Sequence, residues 1–400
     1  MAARPAVAGS TETGDVAHDA GLQWGFDRIG TVAAWETTRG AVTVIAVVDS
    51  GVVLDHEDLA ANIVEGTGCQ GTGGDPSACT VSPADDDGHG THVAGVAAAR
   101  AGNRVGIAGV APEASIMPIK VLHTSCPGCP ASGEALDVVA AIRWATDNGA
   151  DVINLSLGAT TDTVFGPGFG DAVRYAWERG AIPVVAAGNQ LVLTADFGDA
   201  PAVVVTAIDR DGGVPSYADG VGAARWAITG PGGDAGDTTE SCSQNGDPIG
   251  ILSTYFAEDD RAAYACLSGT SMAAPHVSGA LALLRAAGLD PATAVDVLLR
   301  TAEDIGEAGA DPVFGAGLVD LRAAMAAVPT VTPAAGAPGP LDTGDGAGGS
   351  GRGETSAPQP FVTDDGRQPS ALLVAFAVLT NAGVAAWLLV AYRRRHRFGT

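Results

Sequence analysis

Ala-Val-Thr-Val-Ile-Ala-Val-Val-Asp, residues 41–49, is an apolar, β-branched run closed by a carboxylate. With no polar alternation it reads as a strand buried on both faces. Similar runs lie near 114–122, 151–157, 182–187 and 202–208. Helical patterns separate some of them, over 134–147 and about 170–179. Two more helices are expected, from Ser271 to about Ala287 and over about 291–301. Strands alternating with helices predict an α/β fold, a mostly parallel twisted sheet with helices on both faces.

Composition narrows the rest. The chain is 46% hydrophobic but 5% aromatic, with 56 glycines among 400 residues, so Ala, Val, Leu and Ile must build the core. The formal charge is −25, from 46 acids against 21 bases. That balance excludes nucleic acid as a partner, because phosphate binding needs a basic surface. It suits a soluble surface outside the cell. The six cysteines, Cys69, Cys79, Cys126, Cys129, Cys242 and Cys266, lie in Gly-, Ser- and Asp-rich stretches, which points to disulfides in an oxidising compartment. The local pairing 69–79, 126–129 and 242–266 is the simplest of several the sequence allows. Cys126-Pro-Gly-Cys129 also has the spacing of a redox pair or half a metal site, although no second such pair exists. Residues 1–20 show no apolar h-region, so no signal peptide is read there, which runs against the disulfide reading.

Three short motifs carry the chemistry. They are Val-Val-Asp-Ser-Gly-Val (47–52), Gly-His-Gly-Thr-His-Val-Ala-Gly (88–95) and Gly-Thr-Ser-Met-Ala-Ala-Pro-His (269–276). Asp49 ends an apolar strand, where a carboxylate is costly unless a hydrogen-bond donor or cation meets it. Alone it reads as a turn cap. His89 opens a helical stretch; a histidine held in one tautomer by a buried Asp can take a proton from a hydroxyl. His92 lies one turn on, a spacing seen in metal sites, but without the Glu of such a motif it reads as structural. Asp85-Asp86-Asp87, just before His89, reads as a solvated loop, the alternatives being support of an imidazolium or contact with a basic substrate residue. Ser271 sits at a helix N-terminus, its hydroxyl beside unsatisfied N–H groups able to hold an oxyanion. In isolation it would pass for an N-cap. Asn189 ends the apolar run Val-Val-Ala-Ala-Gly-Asn (184–189), at the carboxyl edge where open α/β sheets place their sites. It reads as a second oxyanion donor or a turn Asn.

Together these motifs resemble the subtilisin-like serine proteases (subtilases), over roughly residues 22–328. The resemblance implies a serine endopeptidase acting on a protein or peptide substrate through an acyl-enzyme. Asp49 would orient His89, His89 would be general base and then acid, and Ser271 the nucleophile. Asn189 and the Ser271 N–H would form the oxyanion hole. Ser156, Leu157 and Gly158, in Ile-Asn-Leu-Ser-Leu-Gly (153–158), match the family's substrate-binding strand, which pairs with an extended peptide. No cofactor is required for the chemistry. Family members often hold structural calcium, and Asp58 and Asn103, the latter in the loop 100–106, fall where one such site occurs. Most subtilases carry a long folded propeptide; here about 20 residues precede the domain.

The rest of the chain is unlike a secreted enzyme. Residues 1–21 read as an extension and 22–328 as the peptidase domain. Residues 329–369 read as a disordered Pro/Gly-rich linker. The segment 370–392 is expected to be one transmembrane helix, since Ala371–Tyr392 carries no charge and about 20 helical residues cross a bilayer core. Arg-Arg-Arg-His-Arg (393–397) opens a basic tail, 393–400, that would stay cytoplasmic and leave residues 1–370 outside the cell membrane. This layout resembles the mycosins, membrane-anchored subtilases of type VII secretion systems, and implies secretion-complex partners and a scaffold role as an alternative to simple proteolysis.

Overall fold

The computed structural model describes residues 13–125, 129, 131–157, 168–189, 197–234, 249–257, 260–328 and 375–377. Eleven strands are described: β1 (Val44–Asp49), β2 (Thr67–Gly68), β3 (Ser115–Lys120), β4 (Ser132–Glu134), β5 (Val152–Leu155), β6 (Ile182–Ala186), β7 (Val203–Ile208), β8 (Trp226–Pro231), β9 (Ile251–Ala257), β10 (Asp260–Leu267) and β11 (Ala375–Ala377). The helices among them are α1 (Val16–Asp19), α2 (Trp24–Arg28), α3 (Thr31–Ala34), α4 (His89–Ala98), α5 (Ala135–Asp147), α6 (Phe169–Glu178), α7 (Thr270–Ala286), α8 (Pro291–Arg300) and α9 (Leu321–Ala326).

Seven strands form one parallel sheet in the order β2-β3-β1-β5-β6-β7-β8. Two buried clusters flank it. Alternate residues of β1 divide between them, Ile45 and Val47 into one, Ala46 and Val48 into the other, as a strand covered on both faces requires. One cluster joins α4 and α7 to the sheet, the other α5 and α6. The switch in strand order at β1–β5 puts the carboxyl ends of both strands beside the N-termini of α4 and α7. Doubly wound sheets open their crevice at such a switch.

The five apolar runs and four helical patterns all appear, with ends moved by a few residues. What the pattern did not show is β8, whose run ends in Gly230 and Pro231, and the antiparallel hairpin β9–β10. The segment before β1 is bonded to the domain: the buried Asp15 carboxylate accepts from the N–H groups of Gly102 and Asn103, and Trp24 Nε1 donates to the Gly250 carbonyl at 2.9 Å. Gln23 exchanges two hydrogen bonds with the Ala108 backbone, at 2.8 and 2.9 Å.

Contacts divide the chain into one unit of Met1–Val328 with Val374–Thr400 and another of Pro329–Leu373. The second unit, which holds the expected linker, lies outside the described residues, as does the basic tail. Of the expected membrane helix only 375–377 is described, and there as a short strand paired with β4. Among the described residues no helix is long and apolar enough to cross a membrane. A Cys69–Cys79 disulfide is present. Cys129 and Cys266 are also disulfide-bonded, while Cys126 and Cys242 lie outside the described residues.

Candidate active site

Asp49 closes β1, fully buried, and the chain turns at once through Ser50 and Gly51. His89 Nδ1 donates to Asp49 Oδ1 at 2.8 Å, and the Ser50 N–H donates to the same oxygen at 2.7 Å. Because Nδ1 faces a carboxylate it carries the proton, which leaves Nε2 as the basic nitrogen. Burial opposes the imidazolium, but the Asp49 carboxylate, helped by Asp87 and Asp85, outweighs it and holds His89 above the ordinary histidine range. The surroundings therefore favour an imidazolium at His89.

Of the acid run before His89, Asp86 is exposed as the composition predicts, while Asp85 and Asp87 are not. Asp85 is buried and accepts from the N–H groups of Asp87, Gly88 and Thr91 and from the hydroxyls of Ser50 and Thr91. A carboxylate at the start of a helix meets the orphan N–H groups there, and this one seats the end of α4 that carries His89. Asp86 pairs with the buried Lys120 at 2.7 Å. Asp87 accepts from the His89 N–H at 3.2 Å, and burial pushes its carboxyl up to about 6. His92, one turn along, is structural: its Nε2 lies 2.9 Å from the Ile251 carbonyl and 3.1 Å from that of Ala265, tying α4 to the β9–β10 hairpin. Burial, with the charge of His89 beside it, lowers its pKa to about 3.

Ser271 is the second residue of α7, a helix buried on every side. Pro275 lies four residues on and has no N–H, so the Ser271 carbonyl loses its helical donor. Ser156 Oγ supplies one at 2.8 Å. Ser156 Oγ in turn accepts from Asn154 Nδ2 at 2.9 Å, and Asn154 Oδ1 accepts from Ser278 Oγ at 2.8 Å. This buried chain pins the Ser271 turn to β5. Ser271 Oγ lies 3.5 Å from the Ser156 carbonyl, at the limit of a hydrogen bond. Leu157 is buried beside this turn's partner strand, and Gly158 lies outside the described residues.

Asn189 follows β6. Its Oδ1 accepts from the Thr270 N–H and the Thr270 hydroxyl, both at 2.9 Å. The hydroxyl accepts from the Gly188 N–H at 3.2 Å, so its own proton goes to Asn189. With Oδ1 committed, the amide NH₂ is the end left to donate. A Cβ on Gly269 would sit 3.0 Å from Asn189 Nδ2 and 3.6 Å from the Ser271 N. The missing side chain thus leaves space beside both groups.

The residues at the expected calcium position do not fit the ion. Asp58 Oδ2 accepts from the Ile107 N–H and the Tyr264 hydroxyl, and its Oδ1 from Asn103 Nδ2 at 2.6 Å. Asn103 Oδ1 is turned away, accepting from the Val105 N–H. Donors converge on this carboxylate where a cation needs acceptors. Among the described residues no group of three or more His, Cys, Asp or Glu side chains could hold a metal ion.

The sequence reading missed Lys120 and Thr270, and it ranked a solvated loop above imidazolium support for the acid run 85–87, whereas Asp87 and Asp85 both favour the His89 cation. Lys120 had a signal, a charge closing the apolar run of β3; Thr270 reads as motif filler until its hydroxyl is seen on Asn189.

Comparison with known proteins agrees with this geometry. The family model described as the Subtilase family matches residues 40–317. Thermitase from Thermoactinomyces vulgaris is 35% identical over 290 residues, covering 72% of this chain and 90% of that protein. The thermophilic serine proteinase of Bacillus sp. strain AK1 is 35% identical over 294 residues, covering 72% of this chain and 64% of that protein. Among solved structures, a protease from Pseudoalteromonas arctica superposes with a TM-score of 0.63 at 28% identity, covering 79% of this chain and 99% of that one.

Proposed function

Since the chain belongs to the subtilase family, whose members are serine endopeptidases, we propose that Asp49, His89 and Ser271 cleave peptide bonds through an acyl-enzyme at the surface of a membrane. The observation that carries the chemistry is the buried 2.8 Å bond from His89 Nδ1 to Asp49 Oδ1, which leaves Nε2 as the basic nitrogen. His89 takes the Ser271 proton as Oγ attacks the scissile carbonyl. Asn189 Nδ2 and the Ser271 N–H receive the oxyanion in the space beside Gly269. Protonated His89, stabilised by Asp49, then gives its proton to the departing amine, and water repeats the cycle on the ester. Ser156, Leu157 and Gly158 align the substrate backbone as an added strand. No cofactor takes part.

The charge-free run 371–392 followed by Arg393-Arg394-Arg395 supports a membrane anchor with the catalytic domain outside. The test is twofold. A fluorophosphonate probe labels the full chain and not Ser271→Ala, and the chain resists alkaline extraction from membranes whereas residues 1–328 do not. A folded chain that the probe never labels would refute the protease reading. The same tail favours a second reading, a scaffold within a membrane secretion complex. Under it Ser271→Ala would restore a deletion strain as fully as the wild-type chain, and a chain lacking 371–397 would not.

A further inference from the structure

Lys120 closes β3 directly opposite Asp49, its register partner on β1. It is buried, and its Nζ donates to the Ser50 carbonyl at 2.6 Å and to Asp86 Oδ1 at 2.7 Å. One bond holds the turn that leaves Asp49, and the other holds the loop that enters His89. The two segments are also joined through the His89–Asp49 bond and through Ser50, whose hydroxyl accepts from the Gly90 N–H at 2.9 Å and donates to Asp85 at 2.8 Å.

A buried ammonium loses its hydration and must be compensated, and Lys120 meets a carbonyl and a carboxylate and nothing it could catalyse on. Three carboxylates, Asp49, Asp87 and Asp85, act on His89, whose own charge acts on His92 one turn along α4, and Asp87 and Asp85 also act on Tyr255 of β9; the fourth acid, Asp86, is the one Lys120 bonds. Lys120 is the cation bonded into that acid collar. We propose that Lys120 is a positioning residue: by clamping the Ser50 carbonyl and the Asp86 carboxylate it holds Asp49 and His89 in reacting register and limits the negative charge His89 experiences. This rests on the protease reading, in which neutral His89 is the general base.

The experiment compares the full chain with Lys120→Met, Lys120→Arg, Asp86→Asn and the Lys120→Met/Asp86→Asn pair, after fluorophosphonate labelling has shown the wild type active. Absence of that labelling would fail the protease reading itself; the outcomes below bear on Lys120 alone. Lys120→Met should lower kcat roughly 10- to 100-fold, the loss expected of a displacement near 1 Å, with KM within about twofold. Its acid limb of kcat/KM should move up by about half a pH unit, because removing a cation favours the imidazolium. Asp86→Asn should move that limb down, and the pair should bring it back toward wild type while kcat stays low. Lys120→Arg should recover part of kcat and the wild-type limb. An Asp86 side chain this open to solvent tolerates Asn, so Asp86→Asn remains informative even where Lys120→Met does not fold. Coincident acid limbs in wild type and Asp86→Asn, or an unchanged kcat in folded Lys120→Met, would overturn the proposal.

Discussion

Asn189 shows how one amide becomes a directed donor. Its oxygen accepts twice from Thr270, which leaves its NH₂, beside Gly269, as the end free to donate. Asn189→Ala should lower kcat about 10²- to 10³-fold with little change in KM, measured on a peptide substrate, as loss of one oxyanion donor does. Thr270→Val, which keeps the N–H bond and removes the hydroxyl, should cost less, about tenfold. His89 sets the pH dependence. The active form is neutral and its pKa lies above the ordinary value, so the acid limb of kcat/KM should fall above about pH 6.5. A limb below 6 would contradict the arrangement around Asp49.

At the scale of elements, α4 and α7 are helices with no exposed stripe, built from Gly, Ala, Val and Ser so that other elements can close on them. Gly95 is where β9 approaches α4. A Cβ there would meet Thr254 Oγ1 and Ser253 Oγ, the hydroxyls that bond the carbonyls of Thr91 and His92. Gly95→Ala should destabilise the domain by about 1–3 kcal/mol, read from denaturant midpoints. The same helices bury two neutral histidines. Burial lowers His92 to about 3, and likewise His276 to about 4. In the unfolded chain both titrate near about 6.5, so it binds more protons between those limits. Their contribution to stability is whole above about 6.5 and is lost as pH falls toward 4. Each contributes a slope of up to about 1.4 kcal/mol per pH unit within its window. His18 and His89, both raised, act in the opposite sense, losing their contribution as pH rises past their folded values. Denaturant midpoints taken from pH 6.5 to 4 should drop, and less steeply in His92→Gln.

For the molecule as a whole, the loop 100–106 is tied by carboxylates to N–H groups, Asp15 to Gly102 and Asn103, and Asp58 to Ile107. Chelator should therefore leave the melting temperature within about 1 °C, and a large fall would show that calcium is held after all. The anchor belongs to this scale too: a chain ending at residue 328 should leave the membrane and keep the kcat/KM of the full chain on a small peptide.

The places of Asp49, His89, Ser271 and Asn189 at or beside element ends were legible in the sequence because the periods of those elements are plain, and strand ends and helix starts are where α/β sheets expose groups. The parallel sheet was legible for the same reason: runs buried on both faces need no partner to be recognised. What only tertiary structure decided is what each side chain meets. The acid run 85–87 reads as solvent-facing from composition, yet Asp85 is a buried cap and Asp86 the partner of Lys120. Asp58 and Asn103 read as ion ligands, yet donors fill the carboxylate. Ser156 reads as part of a substrate strand, yet its hydroxyl replaces the N–H that Pro275 lacks, 119 residues along the chain. Local pattern determines where a side chain sits along its own element. Which donors and charges surround it depends on contacts far apart in sequence, and those decide whether a carboxylate caps a helix, binds a cation or faces water.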